Sequence, residues 1–250
     1  RPEFALVEVV GDPYDVFAPG AIKHPLRPLF RQIFSRRLRH QCDNAQACSY
    51  VTEKKLQLRY PPGSGSISTH YSSIELPPEA IAQTTRQPDL NKSEFSIIHV
   101  GSLHHLYKAP DVLINAVARC ASSGMNVRLA IIGDGRMRAD LQAMPAVKKL
   151  GKRLRFLGQF PAGEAIRDEL DKADLFVLPS RQEGLPRAMI EAMARALPCI
   201  GSTVGGFPEL LPHEDLVPPD NTEALARKVQ EVLMDKDRMQ RMSQRNLEKA

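Results

Sequence analysis

The 250-residue chain has no C-x-x-C pair, no internal repeat, no apolar run approaching a membrane span and no dense block of one charge. Its four cysteines, Cys42, Cys48, Cys120 and Cys199, have spacings that suit neither a zinc site nor a disulfide framework, so a reducing cytosol is expected. A helix that crosses a bilayer needs about 20 apolar residues, and no such stretch or signal peptide is visible. The chain opens "RPEF" without methionine and ends inside the helical pattern "MQRMSQRNLEKA". Those ends lead us to expect a piece of a longer protein, with "RPEF" a cloning scar. The net charge of +5 favours anionic partners generally and singles out none. It is dispersed and no recognition module accompanies it, so nucleic acid is not an expected partner. No cluster of metal-ligating residues is visible either.

What is present is an alternation of short β-rich runs and helical patterns. Strands are predicted at 95–101 (FSIIHVG), 127–132 (VRLAII), 153–157 (RLRFL), 174–178 (DLFVL) and 198–201 (PCIG). Amphipathic segments separate them, the clearest being "APDVLINAVARCASSG", which ends at Gly124. Apolar strands separated by helices predict a doubly wound α/β arrangement, with a parallel sheet covered on both faces and ligands bound beyond the C-terminal strand ends. Upstream, "FALVEVVGDPYD" and "ACSYVT" read as strands, and 26–42 and "EKKLQLRY" as helices. The expected organisation is a truncated α/β domain over 1–76, a linker over 77–94, where proline and polar residues show no periodicity, and a nearly whole domain over 95–250.

Three strand ends carry turns of chemical interest. In "HVGSLHHLYKAPDVL", Gly101 permits close backbone approach, a helix N-terminus offers free N–H groups and Lys108 adds a point charge. Those are the parts of a phosphate site, and they are also the parts of an ordinary strand-to-helix turn. In "AIIGDGRMRADL", Gly133 and Gly135 give a G-x-G without its third glycine, which a tight turn explains as well. In "GSTVGGFPELL", Gly205 and Gly206 precede a short helix.

The stretch "PSRQEGLPRAMIEAMARALPCI" places Glu183 in a turn and Glu191 on the helix that follows. That helix, read as 186–196, carries one polar stripe, Arg187, Glu191 and Arg195, at i, i+4 and i+8. Surface ion pairs would account for it. Position suggests more. The helix follows a predicted strand, so Glu183, the N–H groups of Gly184 and Leu185, and Glu191 lie toward the ligand edge of the sheet. A carboxylate accepts two hydrogen bonds side by side, which matches the vicinal hydroxyls of a sugar.

The ordered set "VGSL" with Lys108, "IIGDG", "FLGQF", "DLFVLPSRQEGLPRAMIEAMA" and "VGGFPELL" resembles glycosyltransferase family 4, retaining enzymes of the GT-B fold. The resemblance is strong over about 95–235 and weaker upstream. It implies a Rossmann-like donor domain beside part of a second one. It also implies metal-independent transfer of a sugar from a nucleoside-diphosphate sugar to a hydroxyl acceptor, in polysaccharide or glycolipid biosynthesis. No cofactor is implied beyond the donor substrate. By resemblance, Lys108 holds the diphosphate, Glu183 contacts the donor sugar and Glu191 the ribose, with Gly101, Ser102, Gly133, Gly184 and Leu185 lining the donor. The family commonly has arginine where this chain has Ser102, and a hydroxyl gives one neutral hydrogen bond in place of two charge-assisted ones. The acceptor half of such enzymes is largely absent here, so the fragment alone is expected to be inactive. A binding protein without catalysis, or a GT-B sugar-nucleotide epimerase, is the competing expectation.

The segment "LRPLFRQIFSRRLRHQ" collects Leu26, Leu29, Phe30, Ile33, Phe34 and Leu38 on one face and Arg27, Arg31, Arg36, Arg37 and Arg39 elsewhere. It reads either as a domain helix covering a sheet or as a basic amphipathic helix lying on the inner face of an anionic membrane.

Overall fold

The computed structural model describes residues 5–19, 24–72, 74–89 and 92–250. The expected "RPEF" scar lies outside them. The chain divides into two compact units, one of Arg1–Glu75, Arg181–Pro186 and Val204–Leu210, the other of Leu76–Ser180, Arg187–Thr203 and Leu211–Ala250.

The first unit holds β1 (Leu6–Val9), α1 (Pro13–Val16), α2 (Arg27–Asn44), β2 (Ala47–Tyr50), α3 (Lys55–Arg59) and β3 (Ile67–His70). Its strands pair in parallel in the order β1-β2-β3. Val9, Cys48, Tyr50, Val51, Leu56 and Tyr60 form its core. Beside that core the Tyr60 hydroxyl donates to Asp12 (2.6 Å), and Arg59 pairs with Asp12 and Asp15. The apolar stripe of α2 covers the sheet only toward its C-terminal end, where Cys42 joins this core and Leu38 packs against it. Cys42 is its only buried residue among those described, and Leu26, Leu29, Ile33 and Phe34 are exposed. Phe34 stacks on Phe17 at 5.3 Å instead.

The second unit is built on β4 (Phe95–Val100), β5 (Val127–Ile132), β6 (Leu154–Gly158), β7 (Leu175–Leu178), β8 (Cys199–Ser202) and β9 (Leu216–Val217). All pair in parallel, in the order β6-β5-β4-β7-β8-β9. Counted within the unit this is 3-2-1-4-5-6, the doubly wound order, whose direction reverses between β4 and β7. The predicted strands match β4 to β8 within one residue at each end. Strands β4, β7 and β8 are buried along their whole length and read as nearly continuous apolar runs. The connecting helices are α4 (Pro110–Ser122), α5 (Arg138–Gln142), α6 (Pro145–Leu150), α7 (Glu164–Asp171), α8 (Arg187–Ala194), α10 (Thr222–Leu233) and α11 (Lys236–Lys249). The short α9 (Phe207–Leu210) belongs to the first unit.

Alternation along the strands divides the core. Phe95, Ile97, Leu129, Ile131, Leu175 and Val177 face the cluster that includes Val112, Leu113, Val117 of α4 and Leu225, Val229 of α10. Helix α8 packs on β7 and β8, burying Met189 and Met193.

Residues 77–94, expected as a linker, contain one 3-10 turn (Pro78–Ala80) and otherwise no helix or strand among those described. They are tied to the second unit by Arg86. Its backbone N–H donates to Ser243 Oγ (2.8 Å), and its guanidinium donates to the carbonyls of Arg195 (2.9 Å), Ala173 (2.8 Å), Asp171 (3.1 Å) and Leu170 (3.1 Å). Five N–H donors in one plane suit several carbonyls at once. Among the described residues no helix is long and apolar enough to cross a membrane.

Candidate donor-binding site

In a doubly wound sheet the ligand crevice opens where the strand order reverses, beyond the C-terminal ends of the two central strands. Here those ends are Val100 of β4 and Leu178 of β7. The sequence places Gly101 to Lys108 after the first and Arg181 to Pro186, then α8, after the second. Lys108 and Glu191 therefore belong to connections that leave the switch point.

The β4 connection is closely constrained. After Gly101 and Ser102 the chain forms a 3-10 turn over Leu106–Lys108, then Ala109 adopts the left-handed conformation (φ 52°, ψ 44°) before α4 begins at Pro110. A non-glycine residue in that region is strained, and its burial beside a candidate ligand holds the turn to one shape. A Cβ built on Gly101 would sit 3.2 Å from Lys108 Cγ and 3.4 Å from His99 Nε2. Glycine thus lets the lysine stem lie directly over the strand end. Ser102 Oγ accepts the His104 backbone N–H at 3.3 Å, a local turn contact.

The neighbouring G-D-G turn holds this loop from the side. Gly133 has φ +136°, and a side chain there would overlap the Gly101 carbonyl. Gly101 N–H donates to Ile132 O (2.9 Å), Leu103 N–H to Asp134 O (3.0 Å) and Met137 N–H to Leu103 O (3.0 Å). Arg136 Nε donates to His104 O at 2.7 Å. The glycines of this turn have a local reason to be glycine, the close approach of two loop backbones. Asp134 is held below the usual carboxylate range, first by the Gly135 N–H and then by Arg138.

His99 was not among the residues selected from the sequence. It is fully buried on β4, on the face shared by Phe95 and Ile97, and its Nδ1 lies 3.1 Å from Val177 O. A carbonyl only accepts, so Nδ1 carries the proton and Nε2 is a bare acceptor. Burial, relieved in part by the Val177 bond and reinforced by the Lys108 charge, lowers its pKa to about 4. The available signal was an ionisable residue inside a mostly apolar strand.

On α8 the expected Arg187–Glu191–Arg195 stripe divides. Arg195 leaves it for a bidentate pair with Asp171 at the end of α7, at 2.9 and 2.7 Å. Glu191 is half-buried, and its carboxylate has no hydrogen bond or ion pair among the described residues. Desolvation raises its pKa, against the attraction of Arg187 and Arg167. An incompletely solvated carboxylate with open acceptor positions favours a ligand that brings hydroxyl donors.

Glu183, Gly184 and Leu185 lie in the first unit by compactness, and all three are half-buried. Their turn packs on the Gly205-Gly206 turn. Gly206 N–H donates to Gly184 O at 2.6 Å, and a Cβ on Gly205 would overlap the Glu183 carbonyl. In the same unit Glu209 accepts the backbone N–H groups of Glu53 (2.7 Å), Lys54 (3.0 Å) and Lys55 (2.7 Å). Among the described residues no three metal-ligating side chains converge.

This topology is that of a Rossmann-like α/β domain, and the comparisons agree. A family profile described as "Glycosyl transferases group 1" matches residues 94–235. The chain belongs to this family of GT-B glycosyltransferases. It is similar to protein CapJ of Staphylococcus aureus, 25% identical over 233 residues, covering 92% of this chain and 57% of that protein. By structure it is similar to sucrose-phosphate synthase of Thermosynechococcus elongatus, with TM-score 0.71, 20% identity, and coverage of 98% of this chain and 62% of that one. It is likewise similar to HepE of Anabaena, solved in complex with UDP and glucose, with TM-score 0.67, 18% identity, and coverage of 97% and 65%. The chain spans about half the length of the curated relatives it matches.

Proposed function

We propose that this chain supplies the donor side of a retaining glycosyltransferase, which moves a sugar from a nucleoside diphosphate to a hydroxyl of a carbohydrate or lipid-linked acceptor. The observation that carries the reading is Glu191, a half-buried carboxylate with no side-chain hydrogen bond or ion pair among the described residues, on the helix that follows β7 in the same unit as Lys108 after β4. Glu191 would accept the two ribose hydroxyls. Lys108 and the N-terminus of α4 would hold the diphosphate and stabilise the negative charge that develops as it departs. Glu183 would contact the transferring sugar, with Gly101, Ser102, Gly133, Gly184 and Leu185 lining the donor. That a structural relative holds UDP and glucose supports the ligand class. No metal or cofactor enters this scheme.

By itself the chain is expected to bind donor and to turn over poorly, since relatives are about twice as long. The exposed apolar residues of α2 beside Arg36, Arg37 and Arg39 support a further reading, in which the chain contacts an anionic lipid surface at the inner face of a membrane. A thermal-shift screen across UDP-, GDP- and ADP-sugars tests the reading. One series should stabilise the chain, and Glu191→Ala should abolish the shift. No shift with any donor would reject it.

A further inference from the structure

His99 is a buried group that the proposed transfer does not use. His99 Nε2 is buried and has no hydrogen-bond partner among the described residues. A buried acceptor without a partner is destabilising, and in a folded protein such an atom calls for a reason. Its location supplies one. The backbone ladder between β4 and β7 pairs Ile97 with Leu175 and Ile98 with Phe176. At the next step the His99 side chain itself spans the seam, donating from Nδ1 to Val177 O. The imidazole is therefore fixed at the point where the central strands part, with Nε2 on the side of Gly101 and Lys108. The position of a Cβ on Gly101 is 3.4 Å from Nε2 and 3.2 Å from Lys108 Cγ, so the lysine stem and the ring edge flank the same glycine.

We propose that His99 is a positioning residue for Lys108, its neutral imidazole anchored to β7 through Nδ1 and its Nε2 lone pair biasing the lysine side chain over the end of β4. A lone pair carries partial negative charge, and in a water-poor strand end it interacts with an ammonium more strongly than in bulk water. The two groups are within electrostatic reach, since the Lys108 charge contributes to keeping the ring unprotonated. The strained Ala109 on the other side of Lys108 prevents the turn from relaxing away. The lysine is thereby preorganised for an anion before one arrives, which reduces the ordering cost on binding.

This inference rests on the reading of Lys108 as the diphosphate ligand, and the two can be separated by calorimetric titration of the 250-residue chain with UDP, GDP and ADP. His99→Asn keeps an amide N–H near the Nδ1 position for Val177 and removes the Nε2 acceptor. His99→Gln instead places an amide oxygen toward the Nε2 end. For whichever nucleotide the wild type binds, His99→Asn should weaken binding about fivefold to thirtyfold with little change in Tm, and His99→Gln should bind within about twofold of wild type. In a Lys108→Ala background the His99→Asn loss should disappear. Binding lost with Lys108→Ala but unchanged by His99→Asn would overturn the His99 inference alone. So would an undiminished His99→Asn loss in the Lys108→Ala background, or a folded His99→Gln chain as weak as Lys108→Ala. A wild type that binds none of the three nucleotides, or a Lys108→Ala chain that binds as well as wild type, would remove the lysine reading and this inference with it.

Discussion

Gly133 and Gly101 are in backbone contact across two loops, so that a side chain on Gly133 would overlap the Gly101 carbonyl. Gly133 also has φ +136°. Gly133→Ala should therefore cost about 2 kcal/mol or more, with the Gly101 loop displaced. Gly124 has φ +92° but open space around its Cβ position, so Gly124→Ala should cost only about 1 kcal/mol. Urea unfolding of both variants measures the difference, and equal losses would show that the loop contact contributes nothing.

Removal of Arg86 should be severe for a residue outside any helix or strand. Arg86→Ala leaves the carbonyls of Leu170, Ala173 and Arg195 without this donor, and a loss of about 2–4 kcal/mol is expected. Arg86→Lys should recover little, because an ammonium cannot reproduce the planar fork. Limited proteolysis should then cut within 77–94.

Glu191 carries a pH signature with a definite sign. Burial raises its folded pKa above the ordinary 4.5, so the folded state binds more protons than the unfolded one between those values. Ionised Glu191 thus reduces stability above the folded pKa, and that cost is relieved as pH falls toward 4.5. Glu191→Gln should raise Tm near pH 7 and converge on wild type below about pH 4.5. The same variant should bind donor more weakly, a trade of stability for function. A Glu191→Gln chain with unchanged Tm at pH 7 would contradict the desolvation argument.

The α2 surface should bind vesicles by charge. Flotation with vesicles of phosphatidylglycerol and phosphatidylcholine should recover the chain, and vesicles of phosphatidylcholine alone should not. Replacing Arg36, Arg37 and Arg39 by Gln should remove about 1 kcal/mol of binding per charge. Association that survives about 0.5 M salt and all three replacements would rule out an electrostatic surface.

What was legible in the sequence follows burial. Strands β4, β7 and β8 are buried along their whole length and β5 along most of it, and their apolar runs marked them. Strand β3, ISTH, is exposed along its length, and β9 has two residues, so neither produced a pattern. The turn bearing Lys108 and the helix bearing Glu191 could be located because turn chemistry and helix starts are local. The bidentate Arg195–Asp171 pair, the Arg86 attachments and the His99–Val177 bond join residues far apart in sequence. No spacing rule could reveal them.

The central claim is that the crevice at the β4–β7 switch point holds a nucleoside-diphosphate sugar between Lys108 and Glu191. Calorimetric titration of the chain with UDP-, GDP- and ADP-sugars, repeated with Lys108→Ala and Glu191→Ala, tests it most directly. The account predicts saturable binding of at least one donor series, weakened about tenfold or more by each substitution, in line with the loss of one charged hydrogen-bonding partner. Binding that is unaffected by both substitutions, or no binding of any donor by the folded chain, would contradict it.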